Sequence, residues 1–127
     1  MRKIEEAMIE AVKARQPWKQ ANTQVTVASA LDHDLIRVYL HGNLICELHV
    51  YPSWFLVRFD HCEWLTNTTK SRINALAEHL GFPRIRQIDG KWYWQNHPCG
   101  GLKSRPFDHR KDWMRVTAKA LPEEVAA

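Results

Sequence analysis

The stretch Leu35-Ile36-Arg37-Val38-Tyr39-Leu40-His41-Gly42-Asn43-Leu44-Ile45-Cys46-Glu47-Leu48-His49-Val50-Tyr51 decides the fold. Residues 35–41 and 44–51 flank Gly42-Asn43, a two-residue reversal with glycine placed where a positive φ is needed, so the stretch predicts a β-hairpin. Pro52-Ser53 then turns the chain into a further strand over 54–60. With both turns minimal, the register follows. Tyr39 faces Cys46 and Leu35 faces Val50; Val50 faces Phe55, Leu48 faces Val57 and Cys46 faces Phe59. One sheet face then gathers Leu35, Tyr39, Leu44, Cys46, Leu48, Val50, Phe55, Val57 and Phe59, with Arg37 and the edge residue His41 as its polar members. This is the expected core face. The other face carries Ile36, Val38, Leu40, Ile45, Glu47, His49, Tyr51, Trp54, Leu56, Arg58 and Asp60, too apolar to be wholly wet and too polar for a second dry core.

Working outward, Thr23, Val25 and Val27 alternate as a strand over 24–28 would. Ile4, Ala7, Met8, Ala11 and Val12 recur at helical spacing, so residues 2–16 read as an amphipathic helix that Pro17 ends. On the other side, Thr66-Asn67-Thr68-Thr69 offers N-caps for a helix whose stripe is Ile73, Leu76, Ala77 and Leu80, with Gly81 after its end. A second hairpin follows over 84–95 around Asp89-Gly90, which suits a type I′ turn. Trp92 and Trp94 point one way there, towards the core, and Lys91, Tyr93 and Gln95 the other. The fold class is α+β: N-terminal helix, four-stranded antiparallel meander, second helix, C-terminal hairpin and an irregular basic tail. The chain reads as a single domain, 1–127, with a core over 1–96 and a loop-rich tail over 97–127 packed on it, in which only 113–117 looks ordered.

At 127 residues such a domain buries about two-thirds of its unfolded surface without staples. No apolar run approaches the roughly 18 residues of a membrane span. The charged start Met1-Arg2-Lys3-Ile4-Glu5-Glu6 has no signal-peptide core behind it, so a cytoplasmic protein without a membrane partner is expected. Cys46, Cys62 and Cys99 are odd in number and sparse, which argues against a disulfide framework. The net charge of +4 is concentrated. Residues 84–115 hold eight Lys and Arg against three Asp, a net +5 that leaves the remainder at −1. That asymmetry suits a polyanion or an acidic protein.

Catalytic patterns are weak. His61-Cys62-Glu63 and Pro98-Cys99-Gly100-Gly101-Leu102 approach the zinc-deaminase pattern, but Leu102 stands where its second cysteine ligand must be. His97, Cys99 and His109 could converge on a metal, although their spacing matches no strong ligand framework. No base-and-orienter set accompanies Cys62 or Cys99. The expectation is a non-enzymatic protein with no metal and no cofactor.

Three stretches look familiar: Trp18 to Asn22-Thr23, Tyr39-Leu40-His41-Gly42-Asn43-Leu44-Ile45, and Trp64 through Thr66-Asn67-Thr68-Thr69-Lys70-Ser71-Arg72-Ile73-Asn74-Ala75-Leu76. With the later hairpin they resemble small uncharacterised proteins of tailed bacteriophages, over roughly 1–95, leaving the tail from His97 outside. The resemblance implies a phage accessory protein in the bacterial host cell and no particular chemistry.

The first functional expectation is nucleic-acid binding by a basic, aromatic surface. Lys70, Arg72, Arg84, Arg86, Lys91 and Arg105 would contact phosphates and Tyr93 would stack on a base. The rival is a protein-binding inhibitor of a host factor, a defence or transcription component, using His49, Tyr51, Trp54 and Arg58, since Trp, Tyr and Arg dominate interface energetics. A homodimer through that same face is the third expectation.

Overall fold

The computed structural model describes residues 1–95, 105–107 and 114–117. In chain order its elements are α1 (Lys3–Ala14), β1 (Trp18–Gln20), β2 (Thr23–Ser29), β3 (Asp34–Leu40), β4 (Asn43–Val50), β5 (Trp54–Phe59), α2 (Asn67–His79), β6 (Ile85–Ile88), β7 (Lys91–Trp94), β8 (Arg105–Pro106) and β9 (Met114–Thr117). One antiparallel sheet has the order β1-β2-β3-β4-β5-β9, and a small second sheet has the order β6-β7-β8. The four-stranded meander expected from sequence is therefore the middle of a wider sheet. β1 borders it on one side. β9, the ordered run expected near 113–117, borders it on the other, with Phe55 opposite Val116.

The β4–β5 register is the expected one: Val50 pairs with Phe55, Leu48 with Val57 and Cys46 with Phe59. The β3–β4 register is not. The two turn residues are His41 and Gly42, at φ 51° and 79°, and Leu40 pairs with Asn43. Positive φ at both central positions is the type I′ geometry, one residue earlier than the glycine-first reading. A β-bulge then shifts the register between Val38 and Tyr39, leaving Ile45 as the extra residue on β4. Ile36, Val38 and Leu40 consequently lie on the core face beside Leu48 and Cys46, while Leu35, Arg37 and Tyr39 turn to the other. The physical reason is burial: three aliphatics go inside at 1–3% exposure, where the expected register would have buried an arginine.

Both helices and the second sheet pack on this aliphatic face. From α1, Met8, Ala11 and Val12 enter the core, and from α2, Ile73, Leu76 and Ala77. The Thr66 hydroxyl accepts from the Thr69 amide at 3.1 Å, an N-cap at the expected place. At the other end Gly81, at φ 85°, donates to Glu78 O and Phe82 donates to Ala77 O. This pair of bonds is the Schellman closure that an αL residue permits. Burial raises the pKa of the Cys46 thiol, so Cys46 acts as a small apolar side chain.

Candidate functional site

The basic hairpin is built by β6 and β7, closed by Asp89-Gly90 at φ 51° and 77°, a type I′ turn. Its inner face anchors it. Trp94 is 1% exposed and lies 5.5 Å, ring to ring, from Phe59. On the outer face Arg86 pairs directly with Tyr93 and Ile88 with Lys91. Arg84, Arg86 and Lys91 are exposed and Tyr93 is half-buried, so three cations flank one ring. Lys70, in the first turn of α2, donates to Gln87 Oε1 at 3.4 Å, which joins the helix start to this hairpin. Arg105 pairs with Trp94, one step along from the Tyr93–Pro106 pair.

Arg72 does not join that surface. It is 3% exposed, beside Glu5 at 2%. Its Nη1 donates to Glu5 Oε2 at 2.7 Å and its Nε to Thr23 Oγ1 at 3.1 Å. Ser71 Oγ also donates to Glu5 Oε2, at 2.6 Å, and the Arg2 amide donates to Oε1 at 3.2 Å. Burial alone would raise the Glu5 carboxyl pKa, but the bonds from Ser71, Arg72 and the Arg2 amide carry it below its ordinary value. The expected phosphate contact at Arg72 is thus replaced by a buried tie between α1, α2 and β2. Asn74 is likewise structural: it accepts from the Ile85 amide at 2.6 Å and donates to Ile85 O, clamping β6 to α2.

The other sheet face brings together His49, Tyr51, Trp54 and Arg58, as expected, and adds His33 and Glu47, which sequence reasoning missed as partners. His33, Tyr51 and Trp54 form a stack, with ring centroids 4.4 Å and 4.1 Å apart. A polar chain runs beside it. His33 Nδ1 meets Asp32 Oδ1 at 2.8 Å, His33 Nε2 meets His49 Nδ1 at 3.1 Å, and His49 Nε2 meets Glu47 Oε1 at 3.5 Å. The ionised carboxylates only accept, so the ring nitrogens facing Asp32 and Glu47 are the donors of those contacts. Arg37 Nε donates to Glu47 Oε2 at 2.8 Å. Burial opposes the Glu47 charge, but the hydrogen bonds from Arg37 and His49 hold its carboxyl pKa below the ordinary value. Sequence gave one signal for this chain: Glu47 and His49 alternate on one strand face.

Among the described residues no group of three or more His, Cys, Asp or Glu is arranged to hold a metal. His97, Cys99 and His109 lie outside the described residues, as does Leu102. In the described half of the deaminase-like pattern, the Glu63 amide donates to His61 Nδ1 at 2.9 Å. Burial pushes the Cys62 thiol up to about 11, well away from a reactive thiolate. No helix among the described residues is long and apolar enough to cross a membrane.

An α+β chain with a one-sided antiparallel sheet and a basic hairpin defines a class only by its shape, and comparison with known families narrows it. The chain matches the model of the Kyanoviridae Gp96 protein over residues 1–115 and belongs to that bacteriophage family. No curated protein and no solved structure matches it. The match continues to residue 115, so the tail expected to fall outside the phage likeness is largely inside it, and with it the basic excess.

Proposed function

We propose that this phage protein is a non-enzymatic accessory factor that binds nucleic acid through the outer face of the β6–β7 hairpin. The observation that carries the reading is the direct Arg86–Tyr93 pair, with Arg84 and Lys91 exposed on either side. A ring held between cations by a tight turn suits a base on the ring and phosphates on the guanidinium and ammonium groups. Stacking on one such ring is worth ~1–3 kcal/mol, and each phosphate contact adds salt dependence. Lys70 extends the cationic edge from α2, and Arg105 lies on the neighbouring strand.

The test is retention of labelled oligonucleotides across a salt series. The double variant R84A/R86A is expected to weaken binding and to lower the slope of log affinity against log salt by ~1.4–1.8. Binding that persists undiminished at high salt, or that survives the double variant, overturns the reading.

A second reading has its own support, the continuous His33–Tyr51–Trp54 stack on the sheet face away from the helices. On this reading the partner is a host protein and the protein is its inhibitor. Trp54→Ala separates the two: it abolishes a protein complex and leaves salt-sensitive oligonucleotide retention intact.

A further inference from the structure

The loop between β5 and α2 holds strained backbone and presents two apolar side chains to solvent. Cys62 and Glu63 are both left-handed, at φ 52° and 62°, a conformation that is unfavourable for an L-residue and persists only where the surroundings fix it. Here they do. The Cys62 amide donates to Asp60 Oδ1 at 2.7 Å and its Sγ to Leu44 O at 3.2 Å. The Glu63 amide donates to His61 Nδ1 at 2.9 Å, and the Trp64 amide to His61 O at 2.8 Å. The next two side chains stand outward, Trp64 51% exposed and Leu65 47%, whereas the other described tryptophans are buried or half-buried. Trp64 is also held from the side. Its ring lies 5.8 Å from that of His41, tilted by 33°, and His41 is itself a left-handed turn residue. An exposed ring fixed by a rigid loop and a neighbouring ring loses little freedom when something stacks on it.

The surroundings of the ring indicate its occupant. Leu65, the next residue, lines one cleft with Lys91 and Tyr93. Lys70, one turn beyond the Thr66 cap, donates to Gln87 on the hairpin. The loop therefore adjoins the cationic hairpin face, and an aromatic ring beside cations suits a base with its phosphates. Resting on the nucleic-acid reading above, we infer that Trp64 is a second stacking residue, and that a strand bound at Tyr93 continues past Leu65 onto the Trp64 ring. The hairpin cations then carry the ionic part of binding, and Trp64 carries a part that salt does not screen, because stacking on a neutral ring releases no counterions.

The experiment follows the anisotropy of a fluorescein-labelled twelve-residue deoxythymidine oligomer across a salt series, with the full chain and its variants. Trp64→Ala is expected to weaken binding about tenfold, one stacked base's worth, at every salt concentration. The slope of log affinity against log salt is expected to stay as it was, because the number of neutralised phosphates is unchanged. R84A/R86A, by contrast, lowers that slope. Trp64→Phe keeps a ring and is expected to recover most of the affinity. A second measurement does not depend on how well Trp64→Ala folds. Unlabelled oligomer at saturation is expected to quench the tryptophan emission of the unmodified chain, and Trp64→Phe is expected to lose that quench while still binding. Undiminished affinity of Trp64→Ala, a slope that falls with it, or a quench that survives Trp64→Phe overturns the inference. If R84A/R86A still weakens binding in that case, the hairpin reading stands without Trp64, and the exposed ring is left to a protein partner. If the unmodified chain binds no oligomer, both fall.

Discussion

Arg72 lies in the first turns of a helix, where sequence gives every reason to place it in solvent, yet it is inside. Nothing local announces this, because its partner Glu5 is 67 positions away. Its removal leaves a buried carboxylate uncompensated, so Arg72→Ala is expected to lower the unfolding free energy by ~3–5 kcal/mol. Replacing the pair together by apolar residues, as E5L/R72M, is expected to restore most of that loss in urea unfolding, since the desolvation of both charges disappears with them. Glu5 and Glu47 also predict the acid response. Both carboxyls have folded-state pKa values depressed below 4.5. Their stabilisation is complete above the ordinary carboxyl range and is lost as pH falls through their lowered values. The urea midpoint is thus expected to hold steady above pH ~5 and to decline below the ordinary value, and E47Q is expected to flatten that decline.

At the scale of elements, the sequence was most legible where a turn left no alternative. Pro52-Ser53 fixed β4 against β5, and Asp89-Gly90 fixed β6 against β7. Gly42 was read one place off because a glycine can serve as either central residue of a tight turn, and His41 at positive φ is an uncommon choice. A signal was present all the same: the register adopted leaves Ile36, Val38 and Leu40 inside, whereas the one expected put Arg37 and His41 among core residues. The bulge at Ile45 then lets consecutive residues of β4 bury, which a strict alternation cannot foresee. α2 was legible at both ends, and both ends are testable. Thr66→Ala removes the cap and is expected to cost ~1 kcal/mol. Gly81→Ala meets no atom within 4 Å, so its cost is conformational, about 1–2 kcal/mol from the left-handed backbone alone. Both are read as shifts in the denaturant midpoint with unchanged slope.

Across the whole molecule, two surfaces stand out among the described residues. One is the hairpin face, where Arg84, Arg86 and Lys91 surround Tyr93. The other is the sheet face away from the helices, where the His33–Tyr51–Trp54 stack and the histidine pair lie beside Arg37 and Glu47. The candidate residues of that face were legible because alternation along two strands of known register places them. The histidine chain was not, since His33 arrives from a loop whose path no periodicity dictates. A self-association through that face has a direct readout. Light scattering is expected to give twice the 14.9 kDa chain mass if two copies pair there, and Trp54→Ala is expected to return the monomer mass. A monomer mass for the unaltered chain removes that third alternative.

The sheet's borders are made far apart in synthesis. β1 precedes β5, but β9 begins at Met114, long after β5 ends at Phe59. At ~5–20 residues per second, a ribosome needs several seconds to bridge that interval. Throughout it, the amides and carbonyls of β5 await a neighbour, and a nascent chain is exposed to pairing with the wrong one. Translation speed through this interval therefore sets how long the growing protein is open to misassembly.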